Sequence, residues 1–260
     1  MFIIGEGAEP TKQSRTLVKR FAEQLIPSFK NAEEIESYYY WHGDRISFDL
    51  DYAEEYLGPA DRILEVGGHP FLLTLPMMSK NFDVMSLEKC SSIMFDPAVV
   101  QKFKVNVLDC DLDIDRVPAD DSSFDCVIMN EVFEHLRINL IASMRELRRV
   151  LRPNGLLLLS TPNLRSVEGI YNLLRRQEAY SAMGGIFNNY SYLEAHGIMG
   201  HVREYTSKEV IDFLQQIGFE IEGVIYRGRY SGSWLRTLSQ QFTRLRPEFK
   251  PYFSIVARKT

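Results

Sequence analysis

At 260 residues, 45% hydrophobic and 25% charged, the chain has an ordinary globular composition and is not a disordered tract. A net charge of -5 and a pI near 5.6 exclude a general nucleic-acid surface, which needs excess cations to release phosphate counterions. Cys90, Cys110 and Cys126 match no zinc or disulfide spacing, and no apolar run reaches the ~18 residues of a membrane-spanning helix, so a soluble, cytoplasmic protein is expected.

In chain order, Leu17, Val18, Phe21, Leu25 and Ile26 recur at helical spacing between Thr11 and Pro27. Asn31 with Glu34 reads as a capping box that opens a second, short helix. The aromatic run Tyr38-Tyr39-Tyr40-Trp41 then ends in a turn signal, His42-Gly43-Asp44; it either packs on the core or covers a ligand. Short apolar runs at Arg62–Val66, Asp83–Leu87, Lys104–Leu108, Phe124–Met129 and Gly155–Ser160 alternate with helical patterns, the signature of βαβ units and a parallel sheet. A crossover helix over Leu136–Leu151 stops at Arg152-Pro153-Asn154-Gly155.

Residues 163–203 are looser, with a helix near Glu168–Arg176 and the pair Gly184-Gly185, and read as an acceptor-site insertion. Thr206-Ser207-Lys208-Glu209 is a second capping box, followed by strands near Glu220–Tyr226 and Tyr252–Ala257. Between these strands Arg227, Arg229, Arg236, Arg244, Arg246 and Lys250 face one acid, Glu248, with Tyr230, Trp234, Phe242 and Phe249 interleaved. This stretch reads either as a solvated face or as a contact for an anionic partner. The expected fold is α/β, a doubly wound, seven-stranded, mostly parallel sheet. An N-terminal helical cap occupies residues 1–58, and the main domain spans 59–260.

A strand that feeds a tight glycine turn lets backbone approach a ligand at the carboxyl edge of such a sheet. Here that junction is Glu65-Val66-Gly67-Gly68-His69-Pro70, and Glu88, about twenty residues on, is placed to accept hydrogen bonds from two ribose hydroxyls. By itself this spacing also suits a nicotinamide-dinucleotide oxidoreductase.

Further motifs follow in order: Asp109-Cys110-Asp111; Ser123-Phe124-Asp125-Cys126-Val127-Ile128, leading to Glu131-Val132-Phe133-Glu134-His135-Leu136; and Leu151-Arg152-Pro153-Asn154-Gly155 with Thr161-Pro162-Asn163. With Leu64-Glu65-Val66-Gly67 and Glu88, they make residues 60–258 resemble the class I S-adenosylmethionine-dependent methyltransferases. The resemblance implies a Rossmann-like fold, S-adenosylmethionine as cofactor, and methyl transfer to a small-molecule or glycan acceptor that is anionic in one version. Its most natural form is O-methylation in glycan or natural-product biosynthesis. N-methylation, or a non-catalytic binding module on the same fold, are the alternatives.

The resemblance implies cofactor contacts from Glu65, Gly67, Gly68, His69, Glu88, Lys89, Asp109, Cys110, Asp111, Asn130 and Glu131. His69 and Phe71 stand where the family usually has its second and third glycines, which would narrow the methionine end of the pocket unless His69 itself meets the ligand. His135 and His201 are the candidates to manage the acceptor's proton, with His196 a further histidine of suitable pKa. No metal is required. Glu131, Glu134 and His135 nevertheless resemble the Glu-x-x-Glu-His segment of ubiquinone-biosynthesis O-methyltransferases, which is associated with a divalent metal. The positive end of a helix dipole accounts for those carboxylates equally well.

Overall fold

Strands buried on both faces carry apolar residues at both pleat positions, and here that composition builds one sheet between two helical layers. The computed structural model describes residues 2–4, 9–182, 185–197, 199–230 and 234–260, with 2–4, 196 and 234–236 described by backbone alone. The first half runs β1 (Phe2–Ile4), α1 (Lys12–Leu25), α2 (Ala32–Tyr56), β2 (Arg62–Val66), α3 (Thr74–Ser79), β3 (Asp83–Glu88), α4 (Pro97–Phe103), β4 (Asn106–Asp109) and β5 (Phe124–Asn130). The second half runs α5 (Leu140–Val150), β6 (Leu151–Pro162), α6 (Val167–Tyr171), α7 (Ile186–His196), α8 (Ser207–Gln216), β7 (Phe219–Arg227), α9 (Trp234–Leu245) and β8 (Tyr252–Lys259).

The seven expected strands lie in the order β7-β8-β6-β5-β2-β3-β4, and the short β1 adds an eighth beside β7. Only β8 runs antiparallel to its neighbours. Alternate residues serve opposite layers: Ile63, Cys126, Ile128, Leu156 and Leu158 join the core beneath α1 to α4, whereas Leu64, Val127, Met129, Leu157 and Leu159 join the core beneath α5 and α8. The chain winds outward from β2 to β4, then returns to place β5 on the other side of β2. The carboxyl ends of β2 and β5 therefore flank the switch point, where open sheets of this kind bind ligands.

Several local expectations change. The helix begun at Ala32 runs 25 residues, straight through Gly43, where a Cβ would lie 2.8 Å from the Tyr39 ring. Glycine lets that ring lie against the helix, and no proline follows to stop it. Asn31 does not cap the backbone; its amide donates to Glu34 Oε2 at 2.8 Å. Lys104 ends α4 in the left-handed region (φ 55°), so β4 starts two residues later than expected.

Pairing of β6 begins at Leu151. The predicted turn is instead a bulge: Phe124 faces Leu151, the next registered pair is Cys126 with Leu156, and Asn154 takes φ 62°. The capping box of Thr206 with Glu209 is present in full. The basic stretch after β7 is no single surface: Arg227 is buried on Asp49, Arg229 pairs with Glu9 and Asp44, and Arg246 pairs with Glu248. Gly184 and the side chains of His196, Trp234 and Arg236 lie outside the described residues. Among the described residues no helix is long and apolar enough to cross a membrane.

Candidate active site

The turn after β2 is shaped by what its glycines omit. Gly67 has φ 66°, and a Cβ there would lie 2.7 Å from Val132 Cγ2; one on Gly68 would overlap the Ser86 hydroxyl. Phe71, at a position where glycine was expected, does take a left-handed φ of 66°, but its ring is wholly buried in the core and does not narrow the site. Burying a phenyl ring, about 1.5–3 kcal/mol, offsets the strain of order 1–3 kcal/mol. His69 instead faces the cavity described below. Its backbone N–H donates to Glu88 Oε1 at 3.0 Å, so the turn and the tip of β3 are joined.

Glu88 also accepts from Ser86 Oγ at 2.6 Å, and burial pushes its carboxyl up to about 7. Glu65 is buried behind Gly68, accepts from Thr74 Oγ1 at 2.6 Å, and is pushed up to about 8 by burial. On the β4 side, Asp109 accepts from Cys90 N at 2.9 Å, the Lys89 ammonium is 2.7 Å from Asp111, and the Cys110 side chain sits in the core. Glu65, Gly68, Glu88, Lys89, Asp109, Cys110 and Asp111 are not among the residues lining the cavity described next.

Gly67, His69, Asn130 and Glu131 are. With Tyr38 and His42 of α2, His135, Pro162, Ala182, His201 and Tyr252, they line a space of about 310 Å³ at the carboxyl edge of the sheet. A groove of about 360 Å³ bounded by Asp121, Arg145, Arg148 and Lys259 lies at the opposite edge, away from the switch point. Four of the chain's five histidines thus meet in one cavity. Burial holds three of them neutral, lowering His42 well below its usual value and both His69 and His135 to about 4. His69 Nε2, His42 Nδ1 and Asn130 Oδ1 are buried without hydrogen-bond partners.

One corner is more fully built. The rings of His135 and His201 meet edge to face at 4.9 Å. His135 Nδ1 lies 3.0 Å from the Met199 carbonyl, and His201 Nδ1 lies 2.8 Å from Glu204 Oε1. Burial alone would raise Glu204, but hydrogen bonds from His201 and Ser181 outweigh it and hold the carboxyl below its usual value. Glu134, fully buried, is raised well above the usual range by burial and by Glu131. Its Oε2 accepts from Thr161 Oγ1 at 2.8 Å, and its Oε1 lies 3.9 Å from His201 Nε2. Glu131 (φ 54°) turns elsewhere and accepts from Ser160 Oγ at 3.0 Å. The structure therefore brings Glu134 and His135 together with His201, not with Glu131.

Sequence reasoning missed Arg45, Asp49 and Glu204, and placed Arg227 in a basic stretch rather than in the core. Asp49, fully buried, accepts from Arg227 Nη1 at 2.5 Å and Asn130 Nδ2 at 3.1 Å, with Arg45 Nη1 at 3.9 Å. Arg45 donates to the Tyr38 hydroxyl at 3.1 Å, and its Nε and Nη1 have no hydrogen-bond partner. The only sequence signal was two arginines and an aspartate at otherwise apolar positions.

A family model described as a methyltransferase domain matches residues 29–224. The chain belongs to this family. Its cofactor is S-adenosylmethionine. Solved structures share the fold. An S-adenosylmethionine-dependent methyltransferase from Thermotoga maritima, a possible histamine N-methyltransferase, has TM-score 0.57 at 16% identity over 92% of this chain and 100% of that one. Two further S-adenosylmethionine-dependent methyltransferases score 0.54. The one from Archaeoglobus fulgidus is 14% identical over 81% of this chain and 91% of that one. The one from Methanosarcina mazei is 16% identical over 80% and 96%. No curated protein matches the sequence.

The methyltransferase's own residues suit that cofactor. A Cβ would fill the cradle at Gly67, a buried carboxyl stands at the tip of β3, and unpartnered polar atoms of His42, His69 and Asn130 surround the cavity.

Proposed function

We propose that this methyltransferase transfers a methyl group to a hydroxyl oxygen of a small molecule seated between the Gly67 turn and the His135–His201 corner, with sugars of a glycan or natural product first in line. His201 carries the reading: its Nδ1–H is fixed on Glu204, leaving Nε2 to meet an acceptor proton at the cavity wall. When bound, S-adenosylmethionine supplies a methyl group activated by its sulfonium. An acceptor oxygen held here would displace the sulfonium and take the methyl, and the chain's own part would be to align that oxygen and to take its O–H proton at His201 Nε2. Positioning does most of this work, with Tyr38, Asn130 and Tyr252 walling the reactants together.

Glu88 holds the ribose hydroxyls in this reading, Gly67 admits the methionine end, and Asp109 and Asp111 edge the adenine. A ribose hydroxyl donates to a carboxylate better than to a carboxylic acid. Because the Glu88 carboxyl sits near 7, S-adenosylhomocysteine is expected to bind more tightly as pH rises from 6 to 8. Calorimetric titrations should show that slope in the wild type, a flat profile in Glu88→Gln, and an affinity loss of about 1.5–3 kcal/mol in Glu88→Ala. A slope of opposite sign removes Glu88 from the ribose site.

Arg45 stands behind Tyr38, outside the cavity lining, with an Nε–H that has no hydrogen-bond partner and an Nη1 3.9 Å from Asp49. That Nε–H is assigned to the cofactor's carboxylate, which reaches past Tyr38 to meet it. Arg45→Met is expected to weaken S-adenosylhomocysteine binding about 10- to 100-fold, in line with a hydrogen bond to a charged group. It should spare 5′-methylthioadenosine, which lacks that carboxylate. Equal losses for both compounds reduce Arg45 to a structural part.

No lysine or arginine is among the described residues lining the cavity, so a neutral acceptor fits better than an anionic one. An amine acceptor is the second reading, favoured by the Glu131 carboxylate on the same wall. Incubation with methyl-labelled cofactor and panels of sugars, phenols and amines is expected to leave the label in ethers. Label recovered only in amines overturns the oxygen assignment.

A further inference from the structure

We propose that Glu134, His135 and His201 bind one divalent transition-metal ion of zinc or cobalt type at the cavity wall. The inference rests on the reading that the acceptor's proton is handled at this corner. One potential ligand atom from each residue lies within 4.8 Å of the other two, the only such grouping among the described residues.

The second atoms of all three side chains are already committed. The Met199 carbonyl can only accept, so the nitrogen facing it, His135 Nδ1, carries the proton and leaves the Nε2 lone pair free. Glu204 does the same for His201 through Nδ1. Thr161 donates to Glu134 Oε2, while Oε1, fully buried, has no hydrogen-bond partner. Backbone carbonyls and carboxylates that fix the far nitrogen of a histidine are the usual outer shell of a metal-bound imidazole. A lone buried carboxylate oxygen is costly until something pairs with it, and a cation between the three atoms does so.

The donor set differs from the one the sequence suggested. Glu131, which accepts from the Ser160 hydroxyl, offers no oxygen within the 4.8 Å grouping, and His201 from the insertion completes it instead. Two imidazoles and one carboxylate favour zinc, cobalt or iron over magnesium, which prefers oxygen ligands. Three protein ligands also leave a coordination position open towards the cavity, as catalytic metal sites do. With His201 Nε2 then serving as a ligand, an ion there would take over its part by acidifying the acceptor hydroxyl, whose proton passes to water before the methyl is transferred. Bonds of about 2.0–2.2 Å require the three side chains to draw in by roughly an ångström.

The test is to titrate the metal-free, full-length protein with Co²⁺ and follow its visible absorption. One ion per chain with a tetrahedral-type spectrum, displaced by Zn²⁺ and not by excess Mg²⁺, is expected. His135→Gln and His201→Gln should each weaken Co²⁺ binding at least about 100-fold, with S-adenosylhomocysteine binding confirming that the variants are folded, while Glu131→Gln leaves Co²⁺ affinity unchanged. Absence of Co²⁺ binding, or binding indifferent to His201, overturns the metal site. If methyl transfer to hydroxyls then still depends on His201, the proton-handling reading stands without it. Co²⁺ bound as described, with methyl transfer indifferent to His201, supports the site and sinks the acceptor reading instead.

Discussion

His201→Asn is expected to lower kcat by about 10²- to 10⁴-fold, the range for losing a positioned proton-transfer group, and to leave the dissociation constant of S-adenosylhomocysteine unchanged. The separation follows from geometry. His201 reaches the cavity from the far end of the insertion, whereas Gly67 and Glu88 belong to the turn after β2 and the tip of β3. Glu204→Gln keeps the shape of the partner and removes its charge, so its loss should fall between wild type and His201→Asn. Initial rates with labelled cofactor, paired with calorimetric binding, check both. An undiminished kcat in His201→Asn takes the corner out of the chemistry.

Asp49→Ala is expected to cost about 3–5 kcal/mol of folding stability, because it strands two buried guanidiniums on one removed carboxylate. For a chain of this size that is roughly a 6–20 °C fall in Tm. Asp49 also holds the Asn130 amide, so α2 loses its tie to the end of β5 as well as to β7. The double variant Asp49→Leu with Arg227→Met should recover much of the loss, since a buried ion pair replaced by apolar groups is often neutral. Calorimetry of the single and double variants decides it: a single-variant loss under about 1 kcal/mol means the cluster is solvated or re-paired.

The sheet was legible because its strands are apolar on both faces, as in Leu156 to Leu159, where alternate side chains feed opposite cores. Its parallel, doubly wound character was also legible, since helical patterns alternate with the strands along the chain. What could not be read were relations between distant residues. Arg227 and Asp49 are 178 positions apart, and nothing local marks them as partners. Glu204, three residues after His201 in a charged stretch, looks like surface until the fold buries it completely.

Gly43 misled for the opposite reason. A glycine after a run of aromatics is a strong turn signal, yet here it makes room for the Tyr39 ring inside a continuous helix. That continuity sets Tyr38 and His42 one turn apart on the cavity. At Phe71 the backbone conformation persisted where the expected residue type did not, and the ring turned inward.

Glu204 accepts at once from His201 Nδ1, from the Ser181 hydroxyl and backbone, and from the Ala182 backbone, the last of which closes the cavity. One carboxylate is therefore a shared latch: the segment that walls the cavity off and the imidazole that faces it are fastened at the same point. Whatever displaces Ser181 or Ala182 would therefore also loosen the anchor of the His201 ring, so the shape of the wall and the orientation of the imidazole are set together.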